Sequence, residues 1–453
     1  MPGKTTTTMS TPTPTATTPP TGRRPTTTTT YITKFTNCRI LKPESPDLIE
    51  QDLWIDSRSG KILRDQVAFY ELHLAPDEVI DLGGRILAPG LIDVQLNGAQ
   101  GFDFSVPQGS RQLYDEGLRV VNRGLAATGV TSYLPTVVSS TPEVYWEVLP
   151  SLAPSGAGAG AAGSGSRRGE DGAESLGAHV EGPFISPGRN GIHSPEVLRA
   201  SHSWEDVVHC YGESNLVSAV KMVTAAPELG DMTAHIPRLV QQGIVFSIGH
   251  SDATYEQGLV ATRQGASMVT HLFNAMRPFE HRNPGVFGLL GQSQTQSQIS
   301  RPFYGVIADG IHLHPTSIKI AYNAHPHGLV LVTDAMRLCG LPDGVYDWTN
   351  GDRIVKSGAR LTLEGSNKIA GSSATLIECV NNFLRWSNAS VADALRAVTA
   401  TPARMLGLQR IKGTLDAGAD ADLVVLGESS GPDRTLTVDQ VWKFGVKIHD
   451  GEK

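Results

Sequence analysis

The chain has 453 residues, with 38 Lys and Arg against 45 Asp and Glu for a net charge of −7, and is 40% hydrophobic and 18% charged. That length admits one large barrel plus a smaller unit, or several domains of roughly 100–200 residues each. The acidic balance excludes a protein that coats nucleic acid through a basic face, and no apolar run approaches the ~18 residues that cross a membrane.

Residues 1–30 hold fifteen Thr, six Pro and no acidic residue. Such a segment cannot bury enough apolar surface to offset its ordering entropy, so a disordered leader is expected. No hydrophobic signal core follows Met1. The four cysteines, Cys38, Cys210, Cys339 and Cys379, form neither a CxxC pair nor a dense framework. No disulfide scaffold or cysteine zinc site is indicated, and a cytoplasmic location is expected.

Residues 31–88 read as short strands: YITKFTNCRIL alternates, DLWIDSRSGKILR has the form of a hairpin, and VIDLGGRILAPG leads to a turn. The far end, 411–453, has the same texture in GTLDAGADADLVVL and LTVDQVWKFGVKIHDG. Together they predict one small β-sandwich domain built from both chain ends. Between them, over 89–410, short apolar runs alternate with helical patterns such as LYDEGLRVVNRGLAATG and MTAHIPRLVQQG. Eight runs stand out, beginning at Leu91, Val130, Leu176, Leu216, Ile244, Met268, Tyr304 and Leu329. Strand and helix in alternation imply a parallel sheet with right-handed crossovers. Eight units fit an α/β chain whose centre is a TIM-like (β/α)8 barrel, which typically needs about 250 residues. A Gly/Ala/Ser-rich stretch, 153–175, is expected to be a flexible insertion in it.

Functional groups of such barrels sit at the C-terminal ends of the strands. There the sequence places Asp93, Gln95 and Asn97 on the first run and His179 and Glu181 on the third. His250 closes the fifth run and His271 the sixth; Asp309 and His312 follow the seventh, and Asp334 the eighth. Glu181, His250 and His271 supply the nitrogen and oxygen donors of a catalytic zinc site that keeps one position open. Asp334, after an apolar strand, can take a proton from an activated water and return it to a leaving group. His193 lies in a Gly/Pro-rich loop after the third run, where it can polarise a carbonyl. Arg282 offers a planar fork suited to phosphate.

The motifs PGLIDVQLNG, HVEGPF, GHSDAT, HLFNAM, IADGIH, VTDAM and AGSSATL are specific. With them the chain resembles the N-acetylglucosamine-6-phosphate deacetylase family of the amidohydrolase superfamily, from about Tyr31 to Lys453 outside the insertion. The resemblance implies hydrolysis of an N-acetylated sugar phosphate. It implies Glu181, His250 and His271 as ligands of one divalent metal ion per subunit, zinc above others, with Asp334 as acid/base. Ile192, His193, Asn274, Ala275, Arg282, Asp309, Gly310, Ile311, His312, Ile369, Ala370 and Gly371 match positions that line the sugar-phosphate site. Arg282 would reach a neighbouring subunit, so a homodimer is implied. Many amidohydrolases hold a second metal with His-x-His where this chain has Gln95 and Asn97, which implies a single-metal site. Two alternatives remain at this stage: a cyclic-amide hydrolase of the same superfamily, whose bridging lysine would have to be Lys221, and a non-catalytic sugar-phosphate binder.

Overall fold

The eight central apolar runs carry β-branched residues, most of them stop at a polar or glycine residue, and each supplies a strand. They are Leu91–Leu96, Val130–Val138, Ala178–Glu181, Val220–Ala225, Val245–Ile248, Met268–Val269, Phe303–Ile307 and Leu329–Val332. A computed structural model describes residues 31–155, 169–292, 300–348, 351–429 and 434–451, with Gly3 and Gly431 as single positions. The expected disorder of the leader concerns residues that, Gly3 apart, lie outside this set.

The eight strands pair in chain order and in parallel. The ring closes where a Leu96–Ala335 bridge joins the first strand to the segment after the eighth. Ile92, Val94, Leu134, Met222, Ile307 and Val332 fill the interior, and Met405 and Leu406 pack against them. Crossover helices bury one face each: Met232–Gln241 buries Met232, Ile236 and Leu239, the i, i+4, i+7 stripe of an amphipathic helix.

The chain ends meet in a β-sandwich. One sheet has four strands, in the order Lys61–Leu63, Leu53–Asp56, Ile32–Thr36 and Glu78–Asp81. The other has six and sets Leu423–Glu428 of the C-terminal end antiparallel to Ile86–Pro89 of the N-terminal end. Phe35, Ile55, Leu87, Leu423, Val425 and Trp442 share the core between them.

Three expectations need correction. The fourth strand starts at Val220, because Leu216 lies inside the helix Glu213–Ser218, where Leu216 is buried while Val217 is 70% exposed. Two adjacent apolar residues fit either periodicity, and the burial of only one of them identifies the helix. Residues 169–175 of the expected flexible insertion are built into the fold. Glu174–Ser175 pairs with the second barrel strand, and Glu174 takes hydrogen bonds from Lys443 at 2.6 Å and from Lys412. Composition registers the glycines and serines of this stretch but not the two buried ammonium groups, more than 200 residues away, that need its carboxylate. Finally, a four-stranded antiparallel sheet, from Gly344–Asp347 to Ile369–Ser372, interrupts the barrel pattern after the eighth strand.

Candidate active site

Glu181 is the last residue of the third strand, and His250 and His271 stand just beyond the fifth and sixth. His250, His271 and Asp334 have φ of +48°, +27° and +47°. Side chains other than glycine rarely adopt this region, and such strain collects at functional sites. Here the left-handed turn accompanies the stop of each strand and the entry of a polar side chain into the barrel mouth. Gly249 is required beside His250: a Cβ there would meet Thr224 Cγ2 at 2.6 Å and Thr270 Cβ at 2.7 Å.

The three side chains converge. His271 Nε2 lies 3.0 Å from both Glu181 Oε1 and His250 Nε2, and His250 Nε2 lies 3.3 Å from the same carboxylate oxygen. All three are at least 96% buried. His250 Nδ1 donates to the Arg189 carbonyl at 2.8 Å, which turns its Nε2 toward the other two ligand atoms. Ligand atoms about 2.0–2.1 Å from a tetrahedral zinc ion stand roughly 3.3 Å apart. The donor types and their spacing therefore fit a divalent cation. Burial by itself would raise the Glu181 carboxyl, but the His250 and His271 imidazoles beside it reverse this and hold it well below the usual carboxylate range. Burial likewise works against the His271 imidazolium, and the bond to Glu181 overrides it and raises that pKa.

A layer of amides surrounds the trio. Gln95 Nε2 donates to Glu181 Oε1 at 3.0 Å, and Asn97 Nδ2 donates to Asp334 Oδ1 at 2.7 Å. The Asp334 loop is fastened to the first strand, since Asp334 N–H donates to the Gln95 carbonyl at 2.9 Å. Burial, then the charge of Glu181, pushes the Asp334 carboxyl up to about 6.

His193 is 6% exposed, and its ring lies 4.5 Å from that of His250. The backbone N–H of Ser139 donates to its Nδ1 at 3.2 Å. A backbone N–H cannot accept, so Nδ1 carries the lone pair and the neutral ring carries its proton on Nε2. Burial pushes the His193 pKa down to about 3, which keeps the ring neutral. Asp309 Oδ2 accepts from His312 Nδ1 at 2.8 Å, while Asp309 Oδ1 accepts from the backbone of Ile311 and His312.

The remaining expected positions are spread around the mouth. Asn274 Nδ2 donates to the His271 carbonyl at 3.2 Å, and Ala275 has φ +47°. Gly310 sits against Trp386. Ile369, Ala370 and Gly371 form the edge strand of the inserted sheet, with Gly371 against Met336 of the Asp334 loop. Ile192 is 69% exposed. Arg282 is exposed too, and makes no ion pair with any of these residues among the described ones.

Two residues fall outside the site. His179, noted at the end of the third run, lies below it, bonded to Thr224 Oγ1 at 2.7 Å and 3.3 Å from Thr136 Oγ1. Lys221 donates to the Gly243 carbonyl and is not among the groups that surround the trio. Sequence reasoning missed Ser139, Arg189, Glu228, Asp252 and Arg277. Asp252 takes Arg189 on one oxygen at 2.7 Å and Arg277 on the other at 2.8 Å, which fixes the carbonyl that orients His250. Glu228 holds the Asp252 backbone N–H at 2.6 Å. The charged Asp252 inside GHSDAT, four residues after the fifth strand, was the available signal.

A model of the amidohydrolase family matches residues 86–447. The chain is 44% identical over 425 residues to N-acetylglucosamine-6-phosphate deacetylase of Mus musculus, covering 93% of this chain and 97% of that protein. The crystal structure of the deacetylase of that name from Pasteurella multocida superposes with a TM-score of 0.74 at 26% identity, covering 92% of this chain and 99% of that one. A variant of the Mycobacterium smegmatis protein, solved in complex with N-acetyl-D-glucosamine 6-phosphate, gives 0.72 at 27% identity with the same coverage.

Proposed function

The chain belongs to the amidohydrolase family, within it to the N-acetylglucosamine-6-phosphate deacetylases, and on that premise we propose that it hydrolyses N-acetyl-D-glucosamine 6-phosphate to D-glucosamine 6-phosphate and acetate. The observation that supports this most directly is the convergence of Glu181, His250 and His271 beside an Asp334 whose loop is tied to the same first strand.

Glu181, His250 and His271 would hold a divalent cation, zinc by the chemistry of these ligands, which when bound would supply the Lewis acidity that acidifies water and polarises the acetamide carbonyl. Asp334, ionised at neutral pH, accepts the proton of the attacking water. His193, neutral with its proton on Nε2, donates to the carbonyl oxygen as charge builds there. One such donor is typically worth about 10²–10³ in rate. Asp334 then returns its proton to the nitrogen as the C–N bond breaks. Asp309 fixes the orientation of His312, and with Asn274, Ala275 and Ile369 to Gly371 it forms the rim that receives the sugar. Arg282, exposed and without an ion pair among the described residues, would serve the phosphate of a substrate in a second subunit of a homodimer. The buried thiols of Cys38, Cys210, Cys339 and Cys379, all unpaired, suit a reducing cytoplasm.

The cyclic-amide alternative loses its bridging lysine, because Lys221 is engaged elsewhere. The test is acetate release from N-acetylglucosamine 6-phosphate against turnover of dihydroorotate, with metal analysis of the same preparation. Acetate release with about one zinc per chain is expected; turnover of dihydroorotate alone would overturn the assignment. Arg282→Ala should raise KM for the phosphorylated sugar far more than for N-acetylglucosamine. Mixing Arg282→Ala with Asp334→Asn protein should restore activity if the arginine acts across a dimer.

A further inference from the structure

Asn97 stands where many members of the superfamily have a second metal-binding histidine, and it is 5% exposed. Its orientation is fixed. The backbone N–H donates to the Ala335 carbonyl at 2.9 Å, and its carbonyl accepts from Phe104 at 3.1 Å. The amide nitrogen faces three acceptors, Asp334 Oδ1 at 2.7 Å, the Asp334 carbonyl at 3.2 Å and Met336 Sδ at 3.7 Å. None of these neighbours donates, so the flipped amide would oppose like lone pairs and is excluded. The amide oxygen Oδ1 must then occupy the opposite side. It is buried, with no hydrogen-bond partner among the described residues. Buried acceptors without partners are rare in folded proteins, and each calls for a donor from a bound ligand or a water.

We propose that Asn97 Oδ1 accepts the N–H of the substrate's acetamide while Asn97 Nδ2 holds Asp334, so that one side chain bridges the proton carrier and the nitrogen it protonates. The proposal rests on the deacetylase reading above. Attack of water makes the amide nitrogen pyramidal, with one hydrogen and one lone pair. Holding the hydrogen on Asn97 Oδ1 directs the lone pair to Asp334, whose Oδ1 is fixed by the same amide. As the C–N bond breaks, its electron pair stays on nitrogen. The nitrogen takes the proton that Asp334 received from water, keeps the hydrogen on Asn97, and leaves as the primary amine. The water's remaining OH stays on the acyl carbon as acetate, which gives its proton to solvent. An ester offers no hydrogen at this position, so Asn97 would select amides over esters.

The experiment compares N-acetylglucosamine 6-phosphate with the ester analogue 2-O-acetylglucose 6-phosphate, in the wild type, Asn97→Leu and Asn97→Asp. Asn97→Leu loses both bonds of the side chain. Its amide-to-ester ratio of kcat/KM should fall about tenfold below the wild-type ratio, the value of one hydrogen bond. Asn97→Asp keeps an acceptor for the N–H and disturbs only Asp334, so both rates should fall together and the ratio should stay within about twofold. Equal losses on amide and ester in Asn97→Leu would overturn the proposal and leave Asn97 as a positioning residue for Asp334 alone. Unchanged rates in Asn97→Leu would overturn both roles. If Asn97→Leu fails to fold, Asn97→Ala, which also removes the acceptor, takes its place: a fall of about tenfold in the ratio supports the proposal and equal losses on both substrates overturn it. A wild-type protein that hydrolyses neither compound refutes the deacetylase reading itself.

Discussion

Replacing Asp334 with Asn tests the acid/base assignment with little structural disturbance. The loop that carries it is held by main-chain bonds, Asp334 N–H to the Gln95 carbonyl at 2.9 Å and Met336 N–H to the Ser372 carbonyl at 2.8 Å, and neither needs the carboxylate. Asn97 Nδ2 donates to Asp334 Oδ1 at 2.7 Å, so the amide introduced by Asp334→Asn must turn its own oxygen to Asn97. The new NH₂ then occupies the place of Oδ2, and an acceptor for the water's proton becomes a donor. General acid–base catalysis contributes about 10²–10⁴ in rate, or roughly 2.7–5.4 kcal/mol at 1.36 kcal/mol per decade. A loss of that size in kcat is expected, with KM little changed. Metal should stay bound, because Glu181 is held by Gln95 rather than by Asp334. The wild-type carboxyl, pushed up to about 6 by burial, takes a proton as pH falls through that value, so activity should decline on the acid side. The residual activity of Asp334→Asn should show no such limb. Acetate release, a pH profile and metal analysis measure all of this. Turnover within a few fold of wild type, or loss of metal together with activity, would refute the reasoning.

Lys443→Met should destabilise the fold by about 3–5 kcal/mol, the usual consequence of stripping one partner from a buried ion pair. Lys443 is fully buried and sits 2.6 Å from Glu174 and 2.8 Å from Asp422. Urea midpoints measure the effect, and adding Glu174→Gln should cost less than the sum of the single changes; strict additivity would argue against a shared network. Asp309→Asn should lower the His312 pKa, readable by NMR of the imidazole carbons. Burial opposes the His312 charge, and the bond to Asp309 overrides it and raises that pKa. The stabilisation from His312 is therefore complete below its unfolded pKa of about 6.5 and is lost as pH rises through the folded value. The destabilisation by Asp309→Asn should accordingly be larger at pH 6 than at pH 9. An equal cost at both pH values would show that the pair is not charged in the fold.

The strands were legible because their signal is local. Runs such as LVLV at 329–332 declare themselves within a few residues, and the chemistry of Glu181, His250, His271 and Asp334 is visible where each run stops. What could not be read is everything that depends on which strand ends face one another. Leu216 and Val217 fit two periodicities, and only packing chose between them. Glu174 sits in a stretch of loop-like composition, and its partners Lys412 and Lys443 come from the other end of the chain. Asn97 and Asp334 are 237 residues apart. The types of the functional groups and their places along the chain follow from the residues alone, because apolar periodicity and side-chain chemistry are properties the residues carry with them. Packing in three dimensions was needed to establish that His250 leans on the Arg189 carbonyl, that Ser139 sets the His193 tautomer and that Asn97 holds Asp334. Each of these is a directional hydrogen bond between segments that meet only when the barrel closes.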